Sequence, residues 1–250
     1  MSNYREYFGE GGQNDKLDSD AYATGIGLDE AEIAWRKEFV NFDDGDAERL
    51  ERFHDDFQEV TDELADRFYD HLASTEETAA VIDRSPKGVE QLKKTQKAYL
   101  TTLADGEYDR EYFQNRARIG KLHEMLDMPI KHYIGQYSVY HRLFLEVLSE
   151  RTHDRLASVV DAALEEDHDT DSTGSGSGTK ITITRDDFLQ RLQAEVDTGY
   201  RELQSLLTIV NLDMQVAVET YLEALETEGI GVKAVAVVPV DAVNGEEEVT

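Results

Sequence analysis

The chain has 250 residues, of which 54 are acidic and 25 are basic, giving a formal charge of −29. So negative a surface repels nucleic acid and anionic membranes, because both need a positive partner, and a nucleic-acid role is excluded. Cysteine is absent, which excludes disulfides and thiolate metal sites. A composition of 40% hydrophobic and 32% charged residues is typical of a globular protein.

The N-terminal segment, residues 1–27, is rich in Gly, Asp, Asn and Tyr and has no helical period, so we expect a flexible arm. It lacks the apolar core of a signal peptide. No run in the chain approaches the roughly 18 apolar residues of a membrane helix, so we expect a soluble, cytoplasmic protein without a membrane partner. The acidic residues are spread along the chain, which predicts solvated helix faces like those of proteins from concentrated salt.

Helical periodicity dominates from residue 29 onward. Ser85 and Pro86 look like a cap followed by a first-turn proline. After Pro129 the apolar stripe is long, and we expect a break in it near Thr152. The helices predicted in this part of the chain cover about 29–40, 46–57, 59–73, 85–104, 109–125 and 129–164.

The composition then changes at an acidic and Gly/Ser-rich insertion, about residues 165–183, which predicts a flexible linker. Thr184 with Asp187 forms a capping-box pattern that opens a long helix to about residue 228. The tail, residues 229–250, contains a β-prone run at 232–240 for which KITIT, at 180–184, is a candidate partner. Seven or eight helices with almost no strand predict an all-α fold.

One histidine stands out from the other six. His123 shares its helix face with Ile119 and Leu126, and a buried imidazole needs a hydrogen-bond partner or a metal. The pattern alone leaves open an ordinary core histidine. His132 lies off the main apolar stripe. The chain has no zinc-binding histidine pair at helical spacing, no phosphate-binding glycine loop and no Ser or Cys nucleophile motif.

Five separated blocks of the sequence follow one another in the same order as in a known protein family. They are IGLDEAEIAWRKEFVNFDD, DRFYDHL, VEQLKKTQKAYLTTLADGEYDREYFQNRARIGKLHEML, PIKHYIGQY and IVNLDMQVAVETYLEAL. Together they resemble the sensor globin domain of heme-based aerotactic transducers, the globin-coupled sensors. The resemblance runs from about residue 26 to 228, is interrupted by the acidic Gly/Ser insertion, and predicts a sensor globin domain over residues 28–228. It implies a globin fold with an extra N-terminal helix.

The resemblance also implies a heme b cofactor and a set of residues around it. His123 matches the proximal histidine that ligates the iron. Tyr69 matches a distal tyrosine whose hydroxyl donates a hydrogen bond to the bound gas, and Thr95 matches a possible second donor. Leu92 matches an apolar wall residue. Tyr133 matches a tyrosine on the proximal side that the family links to signalling.

The implied function is reversible binding of dioxygen, or of CO or NO, and relay of the ligation state through helix movement. The family also implies a homodimer built by the last two long helices as a four-helix bundle. Only a short tail follows the last predicted helix, so we expect the output to be a separate signalling protein. The predicted role is not enzymatic. Two alternatives stay open: a protoglobin-like protein with NO-dioxygenase or peroxidase activity, and a heme-free helical interaction module.

Overall fold

The computed structural model describes residues 17–168 and 183–227, and within these ranges every regular element is a helix. In chain order the helices are α1 (Ser19–Gly25), α2 (Glu30–Phe39), α3 (Asp44–Glu51), α4 (His54–Ala73), α5 (Glu76–Arg84), α6 (Val89–Thr102), α7 (Arg110–Met125), α8 (Ile130–His168) and α9 (Arg185–Thr227). The predicted all-α fold is therefore confirmed for the described residues. None of the helices in the two ranges is long and apolar enough to cross a membrane.

Two predicted features fall almost wholly outside these ranges. One is the tail at 229–250 together with its suggested strand pairing to KITIT. The other is the flexible insertion at 165–183, although α8 extends to His168 and so overlaps its predicted start. The domain boundaries stay predictions.

Several helix boundaries differ from the predicted ones. α1 lies within the segment that was predicted to be a flexible arm. This helix forms because Asp18 caps it by accepting hydrogen bonds from two backbone amides. α3 and α4 meet at Arg52 and Phe53 rather than near residue 58. α5 has no counterpart among the predicted helices, because a nine-residue helix is too short for a clear apolar period. α8 passes through Thr152 without the predicted break.

The prediction that Ser85 opens a helix was wrong. Ser85 ends α5 as its C-terminal cap, and its hydroxyl oxygen accepts a hydrogen bond from the Lys87 amide at 3.1 Å. α6 begins at Val89, after Gly88 has taken the extended conformation of an N-cap. Ser85, Pro86 and Lys87 therefore form a connection between two helices, and this connection borders the cavity described below.

Aspartate begins four of the helices, so part of the acidity has a local structural role. A carboxylate at the N-cap accepts hydrogen bonds from backbone amides that the first helical turn leaves unpaired. Asp29 caps α2 and Asp109 caps α7 in this way, at 2.8 and 3.0 Å. At α3, Asp43 and Asp46 form a reciprocal capping box. Such caps also place negative charge at the positive end of the helix dipole.

The core is built around α9, which packs on α7 and α8, while α4 packs on α6. α7 and α9 approach very closely where Gly120 meets Ala217. A Cβ atom at position 120 would lie 2.2 Å from the Ala217 carbonyl oxygen, so only glycine fits there. The two helices are therefore held together without intervening side chains at this crossing.

The distal parts of α8 and α9 pair as a hairpin beyond this core. Arg155 of α8 donates hydrogen bonds to both carboxylate oxygens of Glu202 on α9, at 3.2 and 2.9 Å. Where the helices cross at Gly199, a Cβ atom would lie 2.8 Å from the Thr152 hydroxyl. Exposed apolar side chains on α8 and α9 include Leu145, Val160, Leu164, Leu189 and Tyr200. The dimer bundle stays a prediction.

Candidate functional site

A cavity of about 1190 Å³, counting the space at its mouth, lies between α4, α5, α6, α7 and the start of α8. Clefts between packed helices with mostly apolar walls are where small molecules and cofactors usually bind. Its walls are mainly aliphatic and aromatic. The tyrosines that line it are Tyr69, Tyr99, Tyr133, Tyr137 and Tyr140.

His123 lines this cavity from the last turn of α7. The backbone there is fixed by the way the helix ends. The amide of Met128 donates to the His123 carbonyl and the amide of Asp127 donates to the Glu124 carbonyl, with Asp127 at a φ of 48°. These two bonds around a left-handed residue form a Schellman motif, which is usually built on glycine. The position of His123 is thus set by local sequence.

The imidazole of His123 is oriented by a hydrogen bond from its Nδ1 to the Ile119 carbonyl oxygen, at 2.8 Å. A carbonyl can only accept, so Nδ1 carries the proton and Nε2 keeps its lone pair. Nε2 makes no hydrogen bond to the described residues. Burial lowers the pKa of His123, which favours the neutral ring. A neutral, oriented imidazole at a cavity wall can ligate a metal.

Tyr133 contacts His123 directly. Their ring centres are 4.9 Å apart in an edge-to-face arrangement. The Tyr133 and Tyr137 hydroxyls are hydrogen-bonded at 2.9 Å, one turn apart on α8. A displacement of the His123 ring would therefore push against side chains in the first turns of α8. The signalling role of Tyr133 stays a prediction.

Tyr69 lies on α4 and lines the same cavity. It is 9% exposed, and its ring packs edge-to-face on Phe68 at 5.3 Å. The Tyr69 hydroxyl makes no hydrogen bond to the described residues. Burial raises its pKa far above the usual value, so the phenol stays protonated and is a donor at any physiological pH. Because Tyr69 lines the cavity, its hydroxyl can donate to a ligand there.

Leu92 and Thr95 both line the cavity from α6, one turn apart. Leu92 packs against the core as an apolar wall. The Thr95 hydroxyl donates to the Gln91 carbonyl of its own helix, at 3.1 Å. In this conformation its proton is already used, so Thr95 can only accept a hydrogen bond from a ligand. A donor role would require the side chain to rotate.

Gln96 and Tyr140 are two of the polar residues at this cavity that were not among the predicted site residues. The Gln96 amide, next to Thr95, donates to the Tyr140 hydroxyl at 2.5 Å, and both residues line the cavity. Tyr140 follows Tyr133 and Tyr137 at helical spacing, so the periodic stripe could have indicated it. Gln96 carries no such pattern and is placed here by the packing of α6 against α8.

Only cations carry full charge among the described residues that line the cavity. They are Lys87 and Arg118, in a chain where acidic side chains outnumber basic ones by 54 to 25. Burial, together with the nearby charge of Arg116, lowers the pKa of Arg118 to about 10, so it stays charged at neutral pH. An apolar cavity bordered by two cations suits an apolar ligand that carries negative groups.

Among the side chains that the structure describes, no other histidine lines the cavity. His132 lies 3.0 Å from a Glu77 carboxylate oxygen at the surface end of α5. Within residues 17–168 and 183–227, no cluster of three or more His, Cys, Asp or Glu side chains could hold a bare metal ion. In this part of the chain, metal chemistry at His123 would depend on a metal that arrives inside a larger ligand.

Comparison with known proteins agrees with this geometry. The family model named Protoglobin matches residues 29–167. The chain is 34% identical over 208 residues to the heme-based aerotactic transducer HemAT of Halobacterium salinarum, a match that covers 83% of this chain and 36% of that protein. It therefore spans about a third of the length of this relative.

The helices also superimpose on a solved structure, the globin domain of the Geobacter sulfurreducens globin-coupled sensor. The TM-score is 0.51 at 19% identity, and the match covers 77% of this chain and 97% of that domain. At this identity the likeness concerns the fold, and it confirms the predicted globin fold. Because the family model covers more than half of the sequence, the chain belongs to the Protoglobin family.

Proposed function

We propose that this chain is a heme-binding globin sensor that reversibly binds dioxygen, or another diatomic gas, and relays the ligation state through helix movement. The observation that carries the proposal is the His123 side chain. Its ring is neutral and held by Ile119, and its Nε2 faces an apolar cavity with no partner among the described residues. This is the state in which a histidine ligates heme iron.

The side chains that line the cavity fit heme in their chemistry. Aliphatic walls from Leu72, Leu92 and Leu126 suit the porphyrin plane and exclude water from it. Lys87 and Arg118 would hold its two carboxylates, since no acidic side chain lines the cavity among the described residues. When bound, heme b would supply the iron at which a diatomic gas is held. We propose heme b because the chain lacks the cysteines of covalent attachment.

Across the cavity, Tyr69 would stabilise the gas by donating a hydrogen bond from its otherwise unused hydroxyl. In an apolar, water-poor site such a bond is stronger than in water. Thr95 would contribute as an acceptor or, after rotation, as a second donor. Leu92 would limit access on the same side. This division of roles needs only residues that already line one cavity.

We propose a sensor rather than an enzyme because a relative at 34% identity is a heme-based aerotactic transducer. The output would be a separate signalling protein or a further part of a longer chain. The homodimer is part of the same proposal. It is supported by the exposed apolar residues on α8 and α9, such as Leu145 and Leu164, which a four-helix bundle would cover.

The test is an absorption spectrum of the heme-reconstituted protein in concentrated salt, reduced and then exposed to oxygen. We expect a Soret band that shifts reversibly with oxygen, and we expect His123→Ala to lose it. His132→Ala is the matched control, since His132 lies outside the cavity, and it should keep the wild-type spectrum. A colourless protein, or a spectrum unchanged in His123→Ala, would contradict the proposal and favour a heme-free helical module.

A further inference from the structure

A buried polar cluster lies next to the cavity and is not used by the proposed gas-binding chemistry. At its centre is Asp213 of α9, which is 1% exposed. Its Oδ2 accepts hydrogen bonds from Arg116 Nε at 2.9 Å and from the Tyr99 hydroxyl at 3.0 Å. Its Oδ1 accepts from the Tyr112 hydroxyl at 2.6 Å. We call these four residues the Asp213 junction.

The junction joins the two opposite walls of the cavity to one residue of α9. Tyr99 lies on α6, the helix that also carries Leu92 and Thr95. Arg116 and Tyr112 lie on α7, the helix that carries His123. The Asp213 carboxylate is therefore bonded to α6 and to α7 at once. Its hydrogen bonds depend on how far apart these two helices stand.

Tyr99 is the member of the junction that faces the cavity. Its side chain lines the cavity while its hydroxyl reaches Asp213. Tyr112, Arg116 and Asp213 are absent from the cavity wall. The Arg116 guanidinium lies 4.9 Å from the Tyr99 ring centre and 3.9 Å from the Tyr112 ring centre, so both rings pack on the same cation.

On the other side of the junction, α7 and α9 are held together firmly. The Gly120–Ala217 crossing lies one turn beyond Arg116 on α7 and one turn beyond Asp213 on α9. With the backbones this close, sliding between the two helices is blocked. Relative movement of the cavity walls must then occur between α6 and the α7–α9 pair. The hydrogen bonds between described residues that span this gap include Tyr99 to Asp213, and Arg116 Nη2 to the Thr102 hydroxyl at 3.0 Å.

We propose that the Asp213 junction couples occupancy of the cavity to α9, through the Tyr99–Asp213 hydrogen bond. Ligand binding that changes the separation of α6 and α7 would make or break this bond. The middle of α9 would then be held more or less rigidly. Packed interfaces between helices have discrete arrangements rather than a continuous range, as a switch requires. The inference rests on the proposed function, because it needs a ligand in the cavity.

The experiment compares hydrogen exchange of α9, residues 205–220, in the reduced heme-loaded protein with and without carbon monoxide. Tyr99→Phe and Tyr112→Phe form a matched pair. Each removes one phenol oxygen from Asp213, but only Tyr99 faces the cavity. We expect a carbon-monoxide-dependent difference in the wild type. This difference in exchange should become smaller in Tyr99→Phe by about fivefold or more, since fivefold is the lower bound of typical couplings between sites. It should persist in Tyr112→Phe.

Equal loss of the difference in both variants would overturn the inference, because the junction would then be only structural. So would a wild-type α9 that exchanges identically with and without carbon monoxide, or a Tyr99→Phe variant that keeps the full difference. The absorption spectrum, recorded first for each protein, separates this failure from that of the proposed function. Without a Soret band in the wild type both proposals fail. With a normal band, the exchange result judges the junction alone.

Discussion

Two buried polar regions meet at Tyr99, and they treat their polar groups in opposite ways. In the Asp213 junction, both carboxylate oxygens accept hydrogen bonds, and the Tyr99 and Tyr112 hydroxyls both donate them. In the cavity, the Tyr69 hydroxyl and His123 Nε2 make no hydrogen bond to the described residues. Both residues line the cavity, so a ligand there can pair with these groups.

The difference separates a structural cluster from a binding site. The junction stabilises the contact of three helices, because both Asp213 oxygens accept hydrogen bonds from side chains of α6 and α7. In the cavity, the Tyr69 hydroxyl is a donor and His123 Nε2 is an acceptor. Neither has a hydrogen-bond partner among the described residues, so a ligand can bind to both. Substitutions that remove the same chemical group should therefore have different effects in the two regions.

The largest effect should come from removing the cation of the junction. Arg116→Leu leaves the Asp213 carboxylate buried without its charged partner, and breaking a buried ion pair costs about 3–5 kcal/mol of unfolding free energy. Urea unfolding at fixed high salt measures it. Arg67→Leu is the control, because the Arg67–Glu146 pair is exposed and such pairs contribute little. Similar losses in both variants would contradict the structural role of the junction.

A more discriminating comparison removes one phenol oxygen from each region of the heme-free protein. Tyr112→Phe deprives Asp213 Oδ1 of its donor and should destabilise the fold by about 1–3 kcal/mol. Tyr69→Phe removes a hydroxyl that has no partner among the described residues, so stability should stay the same or rise. Thermal unfolding of the two variants beside the wild type decides. Equal destabilisation would mean that the Tyr69 hydroxyl is bonded within the fold.

The same Tyr69→Phe substitution should act on gas binding instead. A hydrogen bond to a ligand with partial negative charge contributes roughly 1.5 kcal/mol or more, so dioxygen should dissociate about tenfold faster or more. Carbon monoxide, a poorer acceptor, should respond much less. Stopped-flow dissociation of both gases measures this. Thr95→Val should have a smaller effect, since the Thr95 hydroxyl already donates to the Gln91 carbonyl. A larger effect from Thr95→Val would reverse the two assignments.

The sequence predicted the cavity better than it predicted the junction. Helical periods located most of the long helices, and the resemblance singled out His123, Tyr69, Leu92, Thr95 and Tyr133, all of which line one cavity. Such residues sit in recognisable local blocks. The Tyr99, Arg116 and Asp213 contacts join positions about a hundred residues apart along the chain. No local pattern encodes such a pairing.

The composition of the chain also gave no indication of the junction. With 54 acidic side chains, the general expectation is that any one of them lies on a solvated helix face. Asp213 contradicts that expectation because Arg116 and two phenols surround it. The two short helices were also not predicted, because of their length. α1 and α5 have seven and nine residues, too few to show a period, and α5 is held in place by contacts such as those of Arg84 with the Leu126 and Asp127 carbonyls.

A second buried carboxylate on the α9 interface gives the smallest expected effect and a test by pH. Burial by itself would raise the pKa of Asp46, but hydrogen bonds from Ser205, Arg49 and the Asp43 amide hold it below its ordinary value of 3.8. A depressed carboxyl pKa in the folded state stabilises the fold above pH 3.8, and this contribution is lost as the pH falls through the folded value. The effect is modest because burial opposes the shift.

Unfolding free energy measured from pH 6 down to pH 2.5 should therefore fall less steeply below pH 3.8 in Asp46→Asn than in the wild type. Asp44→Asn, in the same turn of α3 but exposed, is the matched control and should follow the wild-type slope. The Asp46 side chain reaches α9 through the Ser205 hydroxyl at 2.6 Å, as Asp213 is reached from α6 and α7. Parallel slopes for all three proteins would mean that this second contact of α9 depends on packing rather than on the charge of Asp46.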